Sequence, residues 1–259
     1  MQVHSYGKGV KALLTAGVQS TKSDIPLGQK FEDGERVYRW AYVKCASAVP
    51  GLCFICSSYR STVSTQALSG PGDHFNSAVA GWGGSIGDVN IKLYGVSGMT
   101  DEDLYEDGTF EVLSGTGKGF SYKVNSYERG GSGVHTLRLN DPLQVALDTT
   151  TYAYLRPNKY YGLAFQAAAL SGIENYIRGG VATVSVTASG YCLVQTRGPG
   201  IGMAIAATSA GRFVAPMNVS GQLSAIVLSV TKDAVLPWGT SVHPAIAADD
   251  FFAVDWCIE

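Results

Sequence analysis

Apolar and polar residues alternate along most of this chain, in short runs broken by Gly, Pro, Asn or Asp. From Thr109 onward the runs are "TFEVLSG", "GFSYKVNSY", "VHTLRLN", "TYAYLRPN" and "VATVSVTASGYCLVQT", and "VNIKLYGV" precedes them. "SAIVLSV" and "FFAVDWCI" repeat the habit near the end. A period of two is the signature of half-buried strands. No run of 20 or more residues shows the 3.6 period of a long amphipathic helix.

Two stretches carry more local information. In "GQKFEDGERVYRWAYV", Asp33-Gly34 suits a two-residue hairpin turn between extended flanks. Tyr38, Trp40 and Tyr42 then share one strand face, a row expected in a core or at an intersubunit contact. In "GYCLVQTRGPG", Tyr191, Leu193 and Gln195 alternate with Cys192, Val194 and Thr196 until Pro199, where a central strand is expected to end. A phosphate loop is excluded there, because no lysine follows and the glycines lack the dinucleotide-binding spacing. "TDEDLYEDG" predicts a helix of one to two turns capped by Thr100 and ended by Gly108. Its acids do not fit the register of a calcium loop.

These patterns predict an all-β protein, an antiparallel β-sandwich or barrel with long Gly-rich loops between Ser57 and Asp88. Residues 1–24, poor in apolar periodicity, are expected to form an extended N-terminal arm ordered only by contact. Residues 25–259 form the body, divisible into 25–88 plus 181–259 and 89–180.

Composition adds a bias towards adhesion. Charged residues make up 15% of the chain and 32 of its 259 residues are Gly, against averages of about 25% and about 7%. So little surface charge implies that part of the surface is covered by copies of the same chain, as a dimer or trimer. The formal net charge of -2 excludes the basic footprint of direct nucleic-acid binding. The longest uncharged stretch, Phe213 to Thr231, is interrupted by Pro216, Asn218, Gly221 and Gln222, so no membrane-spanning helix is expected. The N-terminus lacks a secretory pattern, so synthesis in the cytoplasm is expected and Asn218-Val219-Ser220 is discounted as a glycosylation site.

Candidate chemistry is sparse. Five cysteines suggest no disulfide framework. Cys53 and Cys56, with Cys45 nearby, lie on an apolar run where positions three apart face opposite ways, so buried thiols are expected rather than a zinc pair. The four histidines, at 4, 74, 135 and 243, form no metal-ligand spacing. "GGSIG", Gly83 to Gly87, matches a nucleophile elbow around Ser85, with Asp148 and His243 in the right chain order. An elbow needs a strand before the serine and a helix after it, whereas a Gly-rich loop and a strand-like run flank this one. No cofactor, metal or catalytic residue is predicted.

Four segments together resemble a family of structural proteins from the heads of tailed double-stranded-DNA bacteriophages, the kind that decorates or cements the capsid. They are "IPLGQKFEDGERVYRWAYVKCASAVPGLCF", "GFSYKVNSY", "TLRLNDPLQVALDTTTYAYLRPNKYYGL" and "GGVATVSVTASGYCLVQTRGPG", in family order over roughly residues 25 to 200. Family members often carry an aromatic where this chain has Arg197. The resemblance implies a non-enzymatic virion protein on the capsid exterior, bound to the major capsid protein and to its own copies. Tyr38, Trp40, Tyr42 and Arg197 are the expected interface residues. A tail or baseplate component is the main alternative, and a serine hydrolase or carbohydrate-binding module a lesser one.

Overall fold

The computed structural model describes residues 7–44, 47–56, 83–94, 105–129, 134–148, 151–165, 177–216, 221–226 and 237–259. The protein is mainly β, with two sheets and one short helix among these residues. It divides into two compact units. Residues 1–60 and 159–259 form the first, and 61–158 are inserted as the second. The boundaries thus fall at 60/61 and 158/159, not at 88 and 180, because the strand runs after residue 160 pair with strands from the first 60 residues.

The first unit opens with helix α1, Gly7–Ala16, where an extended arm was expected. The helix was hard to read because its apolar stripe is only Val10, which is buried, with half-buried Leu13 and Leu14, one turn's worth of spacing. Tertiary packing holds so short a helix. Val10 is fully buried, and after Gly17 (φ 68°) the chain pairs Gln19 with Tyr191. The hairpin of β1 (Lys30–Asp33) and β2 (Arg36–Val43) follows. Its two turn residues are Gly34 and Glu35, one position later than predicted, with Asp33 opposite Arg36. Gly34 has φ 60°. Positive φ at the first central position alone is the type II′ pattern. Strand β3, Cys53–Cys56, is buried along its whole length.

The second unit supplies β4 (Asn90–Tyr94), β5 (Thr109–Ser114), β6 (Ser121–Arg129), β7 (Val134–Leu139) and β8 (Tyr152–Arg156). They form one antiparallel sheet in the order β4-β7-β6-β5-β8. Ile91, Leu93, Phe110, Val112, Leu137 and Leu139 share a buried core, which Tyr105, Leu143 and Leu147 complete from the loops. Lys92, Lys123, Asn125 and Arg138 point to water. A bulge between Val124 and Ser126 lets Val124 and Tyr127, three apart, both face inward. Of the helix expected at Thr100, residues 100–104 lie outside the described residues, and 105–107 form a turn.

Back in the first unit run β9 (Leu163–Ala164), β10 (Ile177–Ala182), β11 (Gly190–Met203), β12 (Phe213–Pro216), β13 (Leu223–Ala225), β14 (Gly239–Ser241) and β15 (Phe251–Cys257). Five strands close on themselves: β2 pairs with β9, β9 with β3, β3 with β10, β10 with β11, and β11 with β2. Closure removes the edges that would otherwise invite pairing with another chain. The barrel interior is filled by Ala41, Val43, Phe54, Cys56, Leu163, Ala182, Cys192 and Val194.

Strand β11 does not stop at Gly-Pro-Gly. It runs 14 residues and changes partner half-way, pairing with β2 up to Arg197 and with β15 from Arg197 to Met203. The switch is a kink. Gly198 has φ 83°, and the position of a Cβ there would collide with the carbonyl oxygen of Glu35. Only glycine accepts both conditions. Gln195 braces the bend, its amide Nε2 donating towards the carbonyls of Arg197, Gly198 and Pro199 at 3.0–3.1 Å. Beyond it β2 has ended, and a strand with a partner on one side tolerates proline. β11 thus leads out of the barrel into a second layer, β11-β15-β14-β12-β13. That layer packs Val214, Leu223, Phe252, Val254 and Trp256 against Cys53, Ile55 and Val181 on the barrel wall.

Candidate functional site

The aromatic row of β2 lies on the outside of the barrel wall, and the chain itself covers most of it. Tyr38 and Trp40 are buried, while Tyr42 is half-buried. Backbone N–H groups of Trp40 and Tyr42 donate to the carbonyls of Gln29 and Tyr160, which sets those segments beside β2. Tyr191, opposite Tyr42 on β11, stacks on Trp40 at 6.4 Å and meets Tyr42 at 4.9 Å; Tyr161 stacks on Tyr42 from the other side at 5.1 Å. Trp40 therefore anchors the fold and offers no surface of its own. Arg197, at the kink of β11, is exposed.

Where the barrel's inward rows turn from apolar to polar, at Arg39 on β2 and Thr196 on β11, the chain brings up Glu259. Its Oε2 accepts from Arg39 Nε and Nη2 at 3.0 and 2.8 Å, and its Oε1 from Lys159 Nζ at 3.1 Å and from the Tyr160 hydroxyl. Lys159 also sits 4.8 Å from the Tyr160 ring centre. Burial alone would raise the Glu259 pKa, but the hydrogen bonds from Arg39, Tyr160 and Lys159 outweigh it and hold the carboxyl at about 2. The Tyr160 phenol is pushed up, by burial first and by the adjacent carboxylate second. The cluster ties the end of β15 to β2 and β11.

A third feature lies on the outward face of the second layer. Pairing places Ile201 across from Ala253, with Val242 beside Ala253 on the other flank, and Phe251 two residues further along β15. Val242 is 64% exposed, Phe251 52% and Ile201 48%. Phe213 on β12 and Ile246 in the turn before β15 add to the exposed apolar surface of the same layer. Five of the eight exposed large apolar side chains among the described residues thus belong to this layer. A concentration of that kind makes this surface a candidate interaction face.

The arrangement around Ser85 is not that of a nucleophile elbow. Gly83 and Gly84 make single bridges to Lys92 and Leu147, Ser85 opens a turn closed by its own N–H on Asp88 Oδ2 at 2.7 Å, and β4 follows. Asp148 accepts from Thr116 Oγ1 at 2.6 Å, and His243 faces the Pro244 carbonyl on an exposed turn. No family model, curated protein or solved structure matches this chain.

The CxxC reading resolves by face. Cys56 points into the barrel and Cys53 into the layer outside it, with burial pushing the Cys53 thiol up. Cys192 is buried and Cys257 exposed, while Cys45 lies outside the described residues. Among the described residues no three His, Cys, Asp or Glu side chains converge as metal ligands, and no helix is long and apolar enough to cross a membrane. His135 is buried and shares a 2.6 Å hydrogen bond with the Tyr127 hydroxyl. His4, His74 and Asn218 lie outside the described residues.

Sequence reasoning missed the Glu259 cluster and the apolar layer face. The first joins residues 220 apart, for which a single sequence carries no signal. The second was partly legible in "FFAVDWC", where two adjacent phenylalanines cannot both face the core of one strand.

Proposed function

We propose that this protein is a structural component of a bacteriophage head that decorates and cements the capsid by binding the major capsid protein and its own copies. The observation that carries the reading is the exposed apolar face of the second layer, on a chain with only 15% charged residues. The family resemblance of residues 25 to 200 supports it and supplies the partner. Physically, packaged DNA pushes outward on the shell, and a bridging protein must be peeled away before neighbouring capsomers separate. Each bridge contributes apolar burial of about 25 cal/mol per Å², offset by the cost of association, and repetition over many copies makes the effect collective.

The test is location and copy number in quantified, purified virions. Heads freed of tails retain the chain in shell-wide abundance if it decorates the capsid. A handful of copies that leave with the tails would make it a tail component instead.

A further inference from the structure

Two buried side-chain polar atoms among the described residues lack a hydrogen-bond partner, the indole nitrogens of Trp40 and Trp256. Buried donors in folded proteins are satisfied, and where the chain supplies no acceptor an ordered water does. The surroundings of Trp256 show where such a water would sit. Its ring, 1% exposed, lies inside the second layer along three glycines. A Cβ at Gly239 would stand 3.2 Å from its Cε3, and one at Gly202 3.4 Å from its Cη2. A Cβ at Gly200 would stand 2.7 Å from its Nε1. The nitrogen edge is therefore the edge at Gly200. That same Cβ position is also 2.7 Å from Gln195 Oε1, so the two atoms are at most twice that distance apart, yet they do not bond each other. Chemistry fixes which amide atom of Gln195 turns this way: Nε2 donates to the carbonyls of Arg197, Gly198 and Pro199, and the flipped amide would set Oε1 against three carbonyl oxygens. A donor and an acceptor thus face each other over a residue with no side chain.

We infer that the kink of β11 holds a buried water at Gly200, which accepts from Trp256 Nε1 and donates to Gln195 Oε1. Two hydrogen bonds of ordinary length, about 2.8–2.9 Å each, let one oxygen span the gap. The identity of residue 200 fits this role. Unlike Gly198, Gly200 has no positive φ, so its backbone would accept another residue, and it is the space beside it that has to stay clear. Gln195 and Gly200 also line a cleft of about 300 Å³ beside α1, which gives the water a route from solvent. The bridge ties β15 to the barrel half of β11 at the place where that strand passes from one layer to the next.

This bridge is independent of capsid binding, and its test is made on the full chain alone. In protein labelled with ¹⁵N, the Trp256 indole N–H resonance is assigned as the one lost in Trp256→Phe. Cross-relaxation between that proton and water is then read in the rotating frame, where its sign separates a bound water from proton exchange. The expected result is a bound-water cross-peak at Trp256 in the wild type and its loss in Gly200→Ala, where a methyl group takes the space. No cross-peak in the wild type, or one of undiminished intensity in Gly200→Ala, overturns the bridge. A crystal structure of the wild type gives a second measurement that does not depend on the variant folding. An ordered water within hydrogen-bond distance of both Trp256 Nε1 and Gln195 Oε1 bears the inference out, and a direct Trp256–Gln195 bond, or no water between them, refutes it.

Discussion

Gly198 is the position on which the path of β11 depends. Its φ of 83° and the nearby Glu35 carbonyl leave no place for a Cβ, so Gly198→Ala is expected to cost about 2–4 kcal/mol, read as a lower denaturant midpoint. Gln195→Leu keeps the bulk but takes the donor from three carbonyls, and about 1–3 kcal/mol is expected from that loss. Trp40→Ala, on a fully buried ring, should destabilise by about 3–5 kcal/mol. Any fall in capsid occupancy of this variant would follow its unfolding, so Trp40 is a residue of the core and not a probe of the interface. Thiol chemistry sorts by burial in the same way. A maleimide should label Cys257 quickly in the native protein and reach Cys53, Cys56 and Cys192 only after denaturation; rapid native labelling of Cys53 would contradict its place between the barrel wall and the second layer.

Among the elements, β15 has a hold that depends on pH. The Glu259 carboxyl, held at about 2 against an ordinary value of 4.5, binds fewer protons folded than unfolded. Its contribution is therefore complete above about pH 4.5 and is lost as pH falls towards 2. Because the carboxylate is partly open to solvent, screening reduces this contribution to about 1 kcal/mol, as for other partly exposed ion pairs. Glu259→Gln should flatten this part of the stability profile between pH 5 and pH 2, and a variant curve parallel to that of the wild type would refute the assignment. The strands themselves were largely legible, because a period of two survives in any setting that buries one face: β5, β6, β7 and β15 lie where the alternation puts them. Helix α1 was not legible, since three apolar residues make too short a stripe to register. The continuation of β11 past Pro199 was not legible either, because a proline ends a strand only where both sides need its N–H, and which sides are occupied is a tertiary fact.

For the whole molecule, the exposed apolar face is where the proposed assembly role is tested. Phe251→Asp and Val242→Lys alter residues that are 52% and 64% exposed. Folding stability should move by less than about 0.5 kcal/mol, while retention on purified heads and self-association measured by sedimentation should both fall. Retention and self-association equal to those of the wild type would remove this face from the account. Charge poverty does not say which residues form the exposed apolar face: it is assembled from β11, β12, β15 and the segment between β14 and β15, whose apolar residues are separated in sequence by up to 50 positions.

Composition and alternation were enough, by themselves, to determine that this chain is built from strands, that its surface is short of charge, and that Cys53 and Cys56 face opposite ways. These are properties of near neighbours, and the pleat of a strand converts them directly into faces. Only the tertiary structure decided that five of the strands close into a barrel, that β11 belongs to two layers, that Trp40 is covered by the chain's own segments, and that Arg39 meets Glu259. Each depends on residues far apart in the chain becoming neighbours, and that is settled by the packing free energy of the whole unit.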